Sequence, residues 1–459
     1  MWQAWDEELP FTDPKRDHLL DGIRDGFHIV DSDKVQQPTV EVNNYKSATN
    51  NMVRHKVEKQ IHEELQNGRY VQVGSDDKPY IVSAIGAIPK KDSDKVRLIH
   101  DCSQPQGHAV NNFAVQQLSE FKYQTVNDAA ALVTPGAYMA KIDLASAYRS
   151  VKIHPSNYKA TGLKWTFEGD TEPTYMVDTR LPFGARRSPE VFNDLTQAVR
   201  RIMAHKGFSI VAYLDDFFLV GDTYEECWEA MQVLLRLLRK LGFAINYSKI
   251  EGPTTSLVFL GILLDSVRMV LELPQRRLHE LRKCLLHYQS RAKVTKKDLQ
   301  SLAGKLNWAS QCVYGGRFHL RRILDRIATL KQPWHRTRVT SDMKADMAWW
   351  IQFMSVFNGI TPMVDNRPGT AISTDACPVA SGACFANNWV YTRWDNWPGT
   401  QDLHINFKEV LAVEPAVMQP QGVRACGQPG GSRNTEQGNK SQPGCDGLTE
   451  ADLLGICSV

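Results

Sequence analysis

The sequence predicts an α+β fold: an antiparallel sheet backed by helices, then a helical region, then a small α/β module. Three observations predict it. The apolar runs Ile210–Leu214 and Phe217–Val220 flank Asp215-Asp216 and read as a hairpin with two acids at its tip. Ser188-Pro189-Glu190 and Thr223-x-x-Glu226 each open a long amphipathic pattern with residues suited to a helix start. From Pro274 to Leu330, leucines recur at helical spacing: Leu278, Leu281 and Leu285 on one face, then Leu299, Leu302 and Leu306.

Size and composition bound the rest. A chain of 459 residues is too long for one core and suggests two to four domains. Its 42% apolar and 23% charged residues are ordinary for a globular protein and exclude disordered, collagen-like and coiled-coil classes. The longest strongly apolar run, Leu257–Leu264, is far short of the roughly 20 residues that span a bilayer. Met-Trp-Gln-Ala-Trp-Asp-Glu-Glu lacks the basic flank and apolar stretch of a secretory signal. Nine cysteines, an odd number with no Cys-x-x-Cys, argue against a disulfide framework or structural zinc and for a reducing, intracellular compartment.

Charge is uneven. Residues 1–45 carry ten acids and four Lys/Arg, a net of −6. Pro274–Leu330 carries thirteen Lys/Arg and three acids, a net of +10, against −7 for everything outside that block. A basic block in an otherwise acidic chain suggests a polyanion-binding surface.

The elements follow in order. Residues 1–45 lack sustained periodicity and read as a loose acidic leader. Asn50–Asn67 reads as a helix through Val53, Val57, Ile61 and Leu65, ended by Gly68. Tyr80–Pro89 and Val96–Ile99 read as strands joined by the polar turn Lys90–Lys95, and Ala137–Asp143 as another strand. Ser188 is expected to cap a helix whose buried stripe is Phe192, Leu195, Val199 and Ile202, stopped by Gly207. Thr223-x-x-Glu226 opens a helix running to Leu241, and Leu257–Leu264 returns to strand. Thr295-x-x-Asp298 caps a helix in the basic block. Ala371–Tyr391 reads as strand and hairpin. After Met418, Gly, Pro, Gln, Asn and Ser dominate, and such a segment buries too little to offset its ordering entropy.

The informative chemistry lies in Asp143, Asp215 and Asp216, each at the polar end of an apolar strand. In one sheet these strands would bring the carboxylates together, where they repel unless cations neutralise them. Mg²⁺ takes a few carboxylate oxygens plus water and substrate phosphate. Two such ions about 3.5–4 Å apart activate an attacking hydroxyl and stabilise a leaving phosphate oxygen. Asp-Asp alone says little, because aspartates favour hairpin turns for local hydrogen-bonding reasons.

The pair does not stand alone. Tyr213-Leu214-Asp215-Asp216 resembles the Tyr-x-Asp-Asp box of reverse transcriptases. Lys141–Tyr148 resembles the family's box with the first catalytic aspartate, and Leu181–Phe192 its Leu-Pro-x-Gly…Ser-Pro-x-x-Phe box. Ile88-Pro89-Lys90-Lys91 with Val96–Asp101 resembles the fingers hairpin, and Val258-Phe259-Leu260-Gly261 the primer grip. Five boxes occur in the family's order over about residues 46–335. Spacing without insertions, and Phe183 in the Leu-Pro-Phe-Gly box, suggest a retrotransposon, of DIRS-like type, rather than a retrovirus.

The resemblance implies a right-hand polymerase: fingers and palm over 46–272, a helical thumb over 273–335 and a connection over 336–368. It implies RNA-directed DNA synthesis with two Mg²⁺ ions, or Mn²⁺, held by Asp143, Asp215 and Asp216. Lys90 and Arg97 would hold the incoming triphosphate, a point charge and a fork suited to phosphate oxygens. Tyr148 would be the aromatic gate under the sugar, clashing with a 2′-hydroxyl. Phe183 and Gly184 would form the floor beneath the nascent base pair. Lys249 would protonate the leaving pyrophosphate. Phe259, Leu260 and Gly261 would grip the primer, and the basic helices would hold template and primer through phosphates. Trp308 and Tyr314 could stack or pack, core packing being favoured. Expected partners are an RNA or DNA template with its primer and dNTPs, with no membrane.

Thr374-Asp375-Ala376, Ser381-Gly382-Ala383-Cys384 and His404–Glu409 resemble the start of a ribonuclease H domain, over 369–418. Asp375 and Glu409 match two of that family's four metal-binding carboxylates. Nothing around Asp446 or Asp452 resembles the other two, so hydrolase activity is expected to be lost. Residues 419–459 are expected to be a disordered tail arising from a frameshift, altered splicing or decay. The alternative readings are a catalytically silent nucleic-acid-binding relic and an RNA-templated RNA polymerase.

Overall fold

The computed structural model describes residues 1–35, 40–89, 95–116, 122–313, 315–364, 372–385, 388–397 and 399–412. Two compact units result, 1–365 and 366–459. Among the described residues, no helix is long and apolar enough to cross a membrane.

The centre of the first unit is a four-stranded antiparallel sheet in the order Glu251–Thr254, Tyr138–Asp143, Asp216–Gly221, Ser209–Tyr213. Its three inner and hairpin strands, Tyr138–Asp143, Asp216–Gly221 and Ser209–Tyr213, are mainly apolar because both faces are covered. Ala140, Ile142, Ile210, Ala212, Phe217 and Leu219 enter one core, while the alternate residues Met139, Val211, Phe218 and Val220 enter another. This is the period of two that a strand imposes. The first core is completed by Ser188–His205 and Tyr224–Lys240, whose Phe192, Leu195, Val199, Leu234 and Leu238 are all buried. Thr223 makes the expected capping box with Glu226. Ser188 is not the cap: it sits inside the helix, and its Oγ donates to the Pro182 carbonyl at 2.9 Å.

The fingers are a five-stranded sheet, Val40–Glu41, Ile81–Val82, Gly162–Trp165, Thr174–Asp178 and Tyr70–Val73, with the helix Asn51–Gln66 and the hairpin Ile85–Pro89/Val96–His100. The single strand expected over Tyr80–Pro89 is thus divided between two sheets.

Leu257–Leu264 is not one strand either. It is a tight hairpin, Ser256–Phe259 against Ile262–Asp265. Leu260 (φ 49°) and Gly261 (φ 82°) form its two-residue turn with both φ positive, the geometry that matches strand twist. The thumb helices Gln275–Gln289, Lys296–Ala309 and Arg321–Ala328 pack in the second core. Thr295 makes its capping box with Asp298. Ser341–Val356, in the expected connection, packs there too through Met343, Met347 and Trp350. Trp350 is fully buried, whereas Trp349 is part-buried and stacks on His319 at 4.1 Å.

The loose leader is corrected by the structure. Trp2–Glu8 and Arg16–Asp25 are helices, and Trp5, Leu9, Leu19, Phe27, Ile29 and Val30 are buried in the first core. Two helices of this length are too short to show periodicity unaided; tertiary burial forms them.

In the second unit, Ile372–Ala376, Ala380–Phe385 and Asn388–Arg393 form an antiparallel meander, and Ile405–Leu411 is a helix packed on the first strand.

Candidate active site

Register builds the site. Asp143 ends its strand directly opposite Asp216, and Asp216 also pairs with Tyr213 across the neighbouring hairpin. Leu214 and Asp215 are therefore the two turn residues, Leu214 with φ 50°. The Leu144 amide donates to the Asp215 carbonyl at 2.9 Å, tying the turn to the Asp143 strand. The expected meeting of three acids from separate stretches is what this sheet provides.

A fourth segment approaches from Gly242–Lys249. Asn246 N donates to the Asp143 carbonyl (2.9 Å) and Ala145 N to the Ala244 carbonyl (2.8 Å). This brings Asn246 Nδ2 to 3.0 Å from Asp143 Oδ1 and Lys249 Nζ to 2.9 Å from Asp143 Oδ2. Burial, then repulsion from Asp215 and Asp143, pushes the Asp216 carboxyl up to about 7. Burial is also the main cause that raises Asp215, with Asp143 adding to it. The bond to Asp143 raises Lys249. Removing these acids from water stabilises their neutral forms, and one lysine does not balance three carboxylates.

Among the described residues, no group of three or more His, Cys, Asp or Glu stands as a ready metal cage. The Asp143 carboxylate is instead turned to Asn246 and Lys249. The donors still suit a hard divalent cation: carboxylate oxygens in a part-buried anionic site short of positive charge.

Asp143, Asp215 and Lys249 line one cleft of about 750 Å³ with Arg97, Tyr148 and Phe183. Arg97 is exposed on its strand, its guanidinium 5.6 Å from the centre of the Phe183 ring. Tyr148 is part-buried, on the short turn Ala147–Ser150, its ring 5.1 Å from Phe183 and 5.4 Å from Phe192. His100 N donates to the Phe183 carbonyl at 2.9 Å. Gly184 has φ 131°, and a Cβ there would stand 1.9 Å from the His100 carbonyl oxygen, so the close approach demands glycine. Lys90 and Tyr314 lie outside the described residues.

Phe259, Leu260 and Gly261 do not line this cleft. Phe259 is buried against Phe218 at 5.0 Å, anchoring the hairpin, and Trp308 Nε1 donates to the Leu260 carbonyl at 3.2 Å. Trp308 is thus part-buried packing between hairpin and thumb. In the second unit, Asp375 and Glu409 are both exposed, the first on a strand paired with Gly382. Asp446 and Asp452 lie outside the described residues.

Sequence reasoning missed Asn246, which fixes Asp143, and the buried Glu64, Arg149 and Asp178 behind Tyr148. A lone arginine reads as surface unless its partners are known, so the only available signal was Arg149's place beside Tyr148.

Residues 88–264 match the family described as reverse transcriptase (RNA-dependent DNA polymerase). Over 158 residues the chain is 27% identical to the Gag-Pol polyprotein of woolly monkey sarcoma virus, covering 33% of this chain and 9% of that one. Identity to the Gag-Pol polyprotein of gibbon ape leukemia virus is 26% over the same length and shares. The matched segment thus spans about a tenth of these relatives. Among solved structures, the foamy viral protease-reverse transcriptase with dsDNA aligns at TM-score 0.56 and 16% identity, over 91% of this chain and 85% of that one. The same viral protein with an RNA/DNA hybrid aligns at 0.53 and 16%, over 91% and 55%. The right-hand polymerase fold is therefore that of the first unit.

Proposed function

Residues 88–264 match a reverse transcriptase domain, and from that premise we propose that the chain is an RNA-directed DNA polymerase adding deoxynucleotides to a primer 3′ end. The observation that carries the proposal is the register of Asp143 against Asp216 with Asp215 at the adjoining turn, Asp143 and Asp215 lining one cleft with Arg97, Tyr148, Phe183 and Lys249.

Asp143, Asp215 and Asp216 would hold two Mg²⁺ ions. When bound, such ions supply a more nucleophilic 3′-hydroxyl and charge stabilisation for the leaving phosphate. The chain's own residues do the rest. Arg97 holds triphosphate oxygens with a directional fork, and Lys90 adds a point charge. Tyr148 and Phe183 present ring faces to the sugar and base pair, and Gly184 lets the backbone approach. Asn246 orients Asp143. Lys249, released from Asp143, is placed to give its proton to pyrophosphate. The basic thumb holds the duplex through phosphates. Spacing of the boxes without insertions, with Phe183 in the Leu-Pro-Phe-Gly box, supports a retrotransposon as source.

Asp375 and Glu409 would be the remnant of a ribonuclease H site whose activity is lost. Release of RNA fragments from a labelled hybrid would refute that loss.

The test of the polymerase is primer extension on poly(rA)·oligo(dT) with Mg²⁺. Extension is expected; folded protein that binds primer–template without extending it would establish the silent relic instead.

A further inference from the structure

The cleft that holds the aspartates continues past Tyr148 to a charged wall that the chemistry above leaves unused: Glu64, Arg69, His100, Arg149 and Asp178. Arg149 is its centre. It follows Tyr148 on the Ala147–Ser150 turn and is only 7% exposed. Its Nε and one Nη donate to Glu64 Oε2 at 3.0 and 2.8 Å. The other Nη donates to Asp178 Oδ2 at 2.7 Å and to the Leu181 carbonyl at 3.3 Å. Glu64 Oε1 accepts from Arg69 and from Gln60, each at 3.2 Å. One guanidinium therefore ties the fingers helix Asn51–Gln66, the strand Thr174–Asp178, the turn bearing Tyr148, and the start of the stretch bearing Phe183.

A buried triad of this kind is weak support for stability, since apolar side chains of similar volume would avoid its desolvation cost. What it supplies is direction. The planar fork fixes angles that a flexible ammonium does not. It holds the backbone just after Tyr148, while the Tyr148 ring rests on Phe183 and Phe192. The ring is thus located from two sides, and displacements of about 1 Å at such contacts can change rates by about a hundredfold.

We propose that Arg149, held by Glu64 and Asp178, is a positioning residue for sugar selection: it sets where the Tyr148 ring stands against Phe183, and hence how strongly the site rejects a 2′-hydroxyl. The inference rests on the polymerase reading and goes beyond it, because it assigns selectivity to side chains behind the gate.

The experiment measures kcat and KM for single additions of dTTP and UTP on poly(rA)·oligo(dT), using the full chain. Arg149→Lys keeps the charge and loses the fork. The triple variant Glu64→Gln/Arg149→Met/Asp178→Asn removes all three of the triad's buried charges together, so it guards against a fold lost by leaving one of them unpaired. In both, the dTTP/UTP ratio of kcat/KM should fall about tenfold, chiefly through a lower KM for UTP. Primer–template affinity and the unfolding midpoint of Arg149→Lys should stay near those of the unsubstituted chain. The ratio is insensitive to the fraction of folded protein, so a merely structural role would lower both rates and leave it unchanged; that result overturns the proposal. No extension by the unsubstituted chain would overturn the polymerase reading, and this inference with it.

Discussion

Asp216 stands directly across the antiparallel ladder from Asp143. A slip of one residue would turn every side chain of the strand to the other face and set Phe217 or Ile142 where an acid now stands. Both faces are buried, so a slip would drive Phe217 and Phe218 each into the other's core and undo the packing of both.

Replacing Asp215 with asparagine keeps the turn's size and hydrogen-bonding capacity while removing its charge. Nucleotide addition by Asp215→Asn should fall by at least about a hundredfold, with primer–template affinity unchanged in a gel-shift titration. Retained addition would remove Asp215 from the chemistry.

Tyr148→Val shortens the ring that would meet a 2′-hydroxyl. Incorporation of UTP relative to dTTP should rise; an unchanged ratio would remove the gate assignment.

Gly184→Ala places a methyl against the His100 carbonyl, at a positive φ that side chains rarely adopt. A loss of about 1–3 kcal/mol is expected, measured by urea unfolding.

The hairpin and the two threonine caps were legible because their signals are local: two acids between apolar runs, and threonine three residues before an acid. Register was legible only through the family's boxes. What escaped the sequence was held together at long range. Trp5 donates Nε1–H to the Leu241 carbonyl, a partner 236 residues away. Arg149 reaches Glu64 across 85 positions. Leu260-Gly261 was hidden because eight apolar residues suit one strand as well as two, and nothing but positive φ marks the turn.

His100 gives a pH dependence. Its Nε2 faces the Gly162 carbonyl at 3.0 Å, and burial lowers its pKa below the ordinary 6.5. The folded chain keeps it neutral while the unfolded chain takes a proton near 6.5. Its contribution is therefore complete above that value and is lost as pH falls beneath it. Unfolding measured at pH 7.5 and 5.5 should show a smaller decline in His100→Gln than in the unsubstituted chain.

Trp5→Ala tests the N-terminal packing. Trp5 is 1% exposed, and truncation should cost about 3–5 kcal/mol in urea unfolding. A negligible change would restore the loose leader.

That same indole has a consequence for biosynthesis. The helix that bears it must wait for residue 241 before its berth exists, so the nascent chain carries an unsheltered tryptophan while the 236 residues that separate the partners are made. Closure of so distant a contact is slow, and apolar surface left open meanwhile invites association with other chains. Folding yield should therefore respond to changes at Trp5 although its side chain does not line the cleft.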